Sequence, residues 1–122
     1  MNQLVLSPEQ MRYLIHNLGI SNCSTSAIWI AQYNTYDEFC EYTLEFLDPN
    51  KDYSKDDIPT FTIVDLLKLL PQWQISNCTG GYEIYVKPLK WDMALPFPKA
   101  KGSTPIMAIY NIVCLLVRKN LL

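Results

Sequence analysis

The apolar positions change period along the chain, and each change marks an element. In "LSPEQMRYLIHNLGI", Met11, Leu14, Ile15 and Leu18 fall at i, i+3, i+4 and i+7, one face of a helix. Ser7 is an N-cap, Pro8 suits the first helical position and Gln10 completes a capping box. Leu6 and Met11 stand where a hydrophobic staple is made. Gly19 supplies a left-handed closing residue and Ile20 is placed to touch back on Ile15, so a helix is predicted over 8–18. "TFTIVDLLKLLP" repeats the device. Thr62 caps, Asp65 lies three on, Phe61 and Leu66 form the staple, and Pro71 ends a face made of Ile63, Leu66, Leu67 and Leu70.

Period two appears between and after these helices. "SAIWIAQY" carries Ala27, Trp29 and Ala31 on one side and Ile28 and Ile30 on the other, so both faces are apolar and a central strand is predicted. "CEYTLEF" alternates strictly, with Cys40, Tyr42, Leu44 and Phe46 against Glu41, Thr43 and Glu45, the mark of a half-buried strand. The polar "NTYDE" joins the two as an antiparallel hairpin. A second hairpin pairs "WQI" with "YEIYVK", turning at Gly80-Gly81. "DPNKDYSKDDIP" reads as a loop opened by a type I turn. "KPLKWDMALPFPKAKGS" has three prolines and no period, and reads as an ordered loop or an arm along a sheet edge.

The closing stretch, "GSTPIMAIYNIVCLLVRKNLL", is the most apolar. Its uninterrupted run, Ile112 to Val117, is far below the roughly 18–20 residues that span a bilayer, and Arg118-Lys119 follow at once. No membrane partner is expected. Thr104 and Pro105 start a helix whose polar residues, Thr104, Asn111 and Arg118, make a stripe seven residues apart. A helix apolar nearly all round is a buried one. The expectation is a central helix packed on the sheet and flanked by the other two; the alternative is that Met107, Cys114 and Leu115 form a homodimer face. The fold predicted is α+β, a single domain over 1–122 with a small antiparallel sheet of about four strands and three helices in the order αββαββα.

Three segments also carry a resemblance. "TIVDLLKLLP" fits the pattern T-[LI]-x-[DE]-L-L-x-[LF]-L-P, and "AIYNIVCLL" fits A-[IL]-Y-x-[IL]-[VL]-x-[WL]-L. Together with the first capped helix, these look like a group of short proteins of phages and prophage-bearing gut anaerobes. The resemblance spans most of the chain, but both patterns are chiefly those of capped amphipathic helices. It implies a setting of mobile elements and brings no activity and no functional residues to carry over.

Composition agrees with a folded domain: of 122 residues, 49% are hydrophobic and 18% charged, which excludes a disordered chain. Net charge is −2, so no overall field selects a partner. The charge is nevertheless uneven. Residues 1–61 hold three bases and nine acids, residues 62–122 seven bases and three acids. The plain reading is that the halves neutralise each other locally. "MNQLVLSPEQMR" lacks the basic and apolar regions of a signal peptide, so a soluble cytoplasmic protein is expected. Its cysteines, Cys23, Cys40, Cys78 and Cys114, are then free thiols, and no C-x-x-C pair is among them.

Candidate chemistry is thin. Asp48, Asn50 and Asp52 match the first positions of a calcium loop, but Tyr53 stands where glycine must turn and Pro59 where the bidentate glutamate belongs. The one histidine, His16, falls beside Arg12 and Glu9 off the apolar helical face, so neither a nucleophile nor a zinc ion finds a ready imidazole. Glu41 and Glu45 share the polar side of a strand, where nothing buries them. No catalytic residue, cofactor or metal is expected. One basic-aromatic cluster remains: Lys87, Lys90, Trp91, Phe97, Lys99 and Lys101. Lysines beside stacking rings are ingredients of single-strand binding, and the same rings can dock on a protein. The plain reading is that they cover a sheet edge and keep it soluble. The function expected is non-catalytic protein interaction, with a nucleic-acid-binding module using the 87–101 arm as the alternative.

Overall fold

The computed structural model describes residues 4–20, 25–88 and 96–122. Its elements run α1 (Pro8–Asn17), β1 (Ala27–Tyr33), β2 (Phe39–Phe46), β3 (Ile58–Thr60), α2 (Ile63–Leu69), β4 (Gln72–Cys78), β5 (Gly81–Lys87), β6 (Lys99–Gly102) and α3 (Pro105–Arg118). The α+β class and the three helices are those predicted. The single sheet of about four strands is not. Two antiparallel three-stranded sheets form instead, sheet one in the order β2-β1-β3 and sheet two in the order β4-β5-β6.

The two extra strands are short ones that no periodicity could reveal. β3 is "IPT", which begins in the last two residues of the stretch read as a loop, and its proline is tolerated because β3 lies at an edge. β6 is "KAKG", inside the stretch read as an arm. Just after β3 the chain meets the N-terminal segment: Val5 bridges Thr62 and the Leu6 amide donates to the Phe61 carbonyl at 3.0 Å. β1 is the central strand, as its two apolar faces imply.

Capping explains both short helices. Ser7 and Gln10 exchange bonds of 3.1 and 2.9 Å at the start of α1. Thr62 and Asp65 do the same for α2 at 3.0 and 3.1 Å. Asp65 is buried and does more: its carboxylate also accepts the Ser26 amide at 2.8 Å and the Ser26 hydroxyl at 2.6 Å. The cap of α2 is thereby tied to the residue before β1. Gly19 takes a left-handed conformation, and the Ile20 amide donates to the Leu14 carbonyl to close α1.

The main core is built on α3. Ile106, Ala108, Ile109, Ile112, Val113, Cys114 and Leu116 are buried there with Leu6, Met11, Leu14, Phe61, Leu66, Leu70, Ile84 and Val86. Along α3 only Asn111 and Arg118 are exposed, the stripe foreseen. Of the side named as an alternative dimer face, Cys114 is buried, Met107 accepts a bond from Gln10, and Leu115 is half-buried and lines a cleft with Cys114, Lys99 and Ala100. Two glycines let sheet two lie this close. A Cβ on Gly102 would meet the Ala108 amide nitrogen at 2.3 Å, and one on Gly81 would meet the Gly102 carbonyl oxygen at 2.3 Å.

Sheet one has its own smaller cluster of Val5, Ala27 and Trp29, with Tyr42, Leu44 and Ile58 packed on it. Residues 5 and 6 stitch the two cores, Val5 facing the smaller one and Leu6 the larger. The Leu6 carbonyl accepts the Trp29 indole N–H at 2.8 Å and the Thr60 hydroxyl at 2.7 Å. Among the described residues no helix is long and apolar enough to cross a membrane.

Candidate functional site

Three of the six residues singled out as an arm are gathered on one surface. In sheet two Tyr85 pairs with Gln74 and Lys99, and Glu83 pairs with Ser76 and Lys101. Directly paired residues share a face, and Ile84 and Val86 of the intervening positions are buried. The outer face therefore presents Lys87, Lys99 and Lys101 around Tyr85 and Glu83. Lys99 and Lys101 belong to an edge strand rather than to a loop. Phe97 is exposed just before that strand, and Lys90 and Trp91 lie outside the described residues. The lysines are not unopposed. Glu83 accepts the Tyr85 hydroxyl and lies 3.6 Å from the Lys101 Nζ. That hydroxyl, then the charges of Lys99 and Lys101, hold the Glu83 carboxyl below the usual carboxylate value.

Sheet one bears two clefts that the sequence reading did not find. The first, about 400 Å³, opens between the start of β1, the end of β2, the N-terminal segment and the start of α2. Seven of its ten lining residues are apolar: Leu4, Val5, Ala27, Leu44, Phe46, Ile63 and Val64. Phe46 is 78% exposed, Val64 59% and Leu4 55%, so large side chains stand in water at its mouth. Glu45, also at its wall, is 3.3 Å from the Lys51 Nζ.

The second cleft, about 550 Å³, lies between α1 and the hairpin end of sheet one. Tyr33, Phe39 and Tyr42 form a row, with ring centroids 6.2 and 4.8 Å apart. Arg12, His16, Lys55, Asp56 and Asp57 also line it. Most of these groups are committed to the protein. Arg12 lies over the Tyr42 ring at 5.5 Å and donates to its hydroxyl. The Tyr33 hydroxyl donates to Asp56 at 2.9 Å, which raises it above the ordinary phenol value. Asp57 accepts the amides of Ala31 and Ser54, both at 2.9 Å. His16 is exposed, as its helical angle implied. Ile15, expected on the buried face, is exposed too, because it points along this open cleft rather than into the main core.

In the loop with calcium-like spacing the Asp48 carboxylate accepts the Asn50 amide at 2.9 Å, and the Asp48 amide donates to the Tyr53 hydroxyl at 2.8 Å. Among the described residues no group of three or more His, Cys, Asp or Glu converges as metal ligands do. No protein-family model matches the chain, and neither a curated protein nor a solved structure is found to be similar to it.

The apolar cleft had a signal in the sequence. Val64 and Leu69 are the apolar residues of α2 that fall outside the i, i+3, i+4 face, Val64 being the exposed one, and Phe46 is the last apolar residue of an alternating strand. An apolar residue off its stripe is either surplus or functional. What the sequence could not show is that Leu4, Phe46 and Val64 meet.

Proposed function

We propose that the chain is a non-catalytic protein-interaction module, of phage or prophage setting, and that the apolar cleft of sheet one is where its partner docks. The observation that carries this reading is the meeting of Leu4, Phe46 and Val64 in solvent at the mouth of one apolar cleft. Covering one such side chain is worth roughly 1.5–3 kcal/mol before the costs of association. The partner's chemistry follows from the surroundings. Residues 1–61 carry nine acids against three bases, and Glu41 and Glu45 sit on the strand that forms one wall. A segment with one or two large apolar side chains flanked by Lys or Arg matches both the cleft and its field. Such a segment belongs to a protein of the host or of the phage's own assembly. The mixed cleft supports the reading less, since most of its polar groups are already bonded within the chain.

A peptide library displayed against the full chain tests this. The enriched peptides should combine a large apolar residue with neighbouring basic ones, and Phe46→Asp should weaken them at least tenfold while leaving the fold intact. Enriched peptides that bind Phe46→Asp and Val64→Asp like the parent would place the interface elsewhere.

One observation favours a second reading, the alignment of Lys87, Lys99 and Lys101 with Tyr85 on the outer face of sheet two. It is a small platform of the kind single strands use, a ring among cations. Glu83 at its centre weakens it. Oligonucleotide binding that falls steeply with salt and is lost when the three lysines become alanine would favour this reading.

A further inference from the structure

A β-sheet edge is a row of unpaired amides and carbonyls, and folded proteins blunt such edges with charge, proline, bulges or cover. The two sheets have four edges, and three are blunted. β3 carries Pro59 and continues into a segment bridged by Val5 and Leu6. β6 carries Lys99 and Lys101, and the Asn111 side chain donates to the Lys101 carbonyl at 2.8 Å. β2 carries Glu41 and Glu45, and its pairing with β1 is irregular at Gln32/Tyr33. Among the described residues β4 has none of these devices. "QWQISNC" contains no charge and no proline, pairs with β5 without a bulge over seven residues, and meets only β5 among the described elements in any extended way. Trp73 on this strand is 43% exposed.

We infer that β4 is a homodimerisation edge, at which two copies of the chain pair antiparallel about a two-fold axis to make one six-stranded sheet. A second copy is the occupant because charge selects it. In an isologous pair each residue meets its own counterpart patch. Centred on Ile75, the pairing sets Gln74 against Ser76, Trp73 against Asn77 and Gln72 against Cys78, all neutral and each pair on a common face. The same operation on β2, centred on Thr43, would set Glu41 of one copy against Glu45 of the other. In that register β2 sets like charges against its own copy, and β4 does not. The pairing also brings the lysine-bearing outer faces of the two copies into one surface.

Sedimentation velocity of the full chain tests the dimer. The mass should rise with loading from 14.1 kDa towards twice that value. Gln74→Lys with Ser76→Lys, both exposed positions, sets like charges across the axis and should hold the mass at the monomer value with an unchanged circular dichroism spectrum. Parent protein that stays monomeric up to high micromolar loading overturns the proposal, as does a lysine variant that dimerises like the parent. Register has its own test. Gln72→Cys should form an intermolecular disulfide with Cys78 under mild oxidation, and adding Cys78→Ser should abolish it. A cross-link that persists without Cys78 contradicts the register.

Discussion

Sheet one and sheet two each have three antiparallel strands, but they obtain their support in different ways. Sheet two lies on α3, a helix with only two exposed positions, and buries Ile84 and Val86 in the main core. Sheet one rests on Val5, Ala27 and Trp29, a cluster a fraction of that size, and is moored to the rest by the Leu6 carbonyl and by Asp65. The consequence is on their surfaces. Sheet two also borders a cleft, of about 530 Å³ between β6 and α3, but Lys99, Asn111 and Arg118 line it beside apolar residues, whereas the cleft between sheet one and α2 is lined mostly by apolar ones. A well-buried keel supplies stability, and a thinly covered sheet beside it leaves apolar area in water.

This contrast can be broken at its strongest point first. Leu116→Ala in α3 should cost about 4 kcal/mol in urea unfolding, since Leu116 is fully buried and its cavity lies amid rigid neighbours. Leu44→Ala, half-buried on sheet one, should cost about 1 kcal/mol. Equal losses would mean that the two sheets share one core. Next, Asp65→Ala should cost about 3 kcal/mol, because a buried carboxylate that holds the Ser26 amide and hydroxyl and caps α2 is removed at once. Hydrogen exchange should then rise in β1 before it rises in β5. Gly102→Ala should cost roughly 2–3 kcal/mol, because its methyl would overlap the backbone of Ala108, and the loss should fall on sheet two.

Thiol labelling sharpens the same contrast without a mutation. Burial pushes the Cys114 thiol up and shields it, while Cys40 on β2 is exposed. In the folded protein Cys40 should be alkylated promptly and Cys114 only on unfolding. The smallest expected effect concerns acid. The Glu83 carboxyl is held low by Tyr85, so its contribution is present above the ordinary carboxylate pKa and is lost as pH falls through its own depressed value. The gap in urea midpoint between the parent and Glu83→Gln should be modest at neutral pH and should close as the solution is acidified.

How much of this could be read from residues alone differs by element. Caps and staples act over three to five positions, so Ser7, Thr62 and their partners announced both short helices. The polar stripe of Asn111 and Arg118 marked α3 as buried, and the paired apolar faces of "SAIWIAQY" marked β1 as central. β3 and β6 escaped because three or four residues hold too little of a period, and because Pro59 and two lysines oppose strand formation anywhere but an edge. The split into two sheets escaped with them. The apolar cleft is made by Leu4, Phe46 and Val64, which only the tertiary fold brings together. Asp65 was recognisable as a cap but not as the anchor of Ser26, a contact across 39 positions.

The claim that sheet one is the interaction surface is tested most directly by mapping amide and methyl shifts when a selected apolar-basic peptide is titrated into the labelled full chain. The account predicts that the largest changes cluster at Leu4, Ala27, Phe46 and Val64, with little movement at Lys87, Lys99 and Lys101. Changes confined to the outer face of sheet two, with the Phe46 and Val64 signals still, would contradict it.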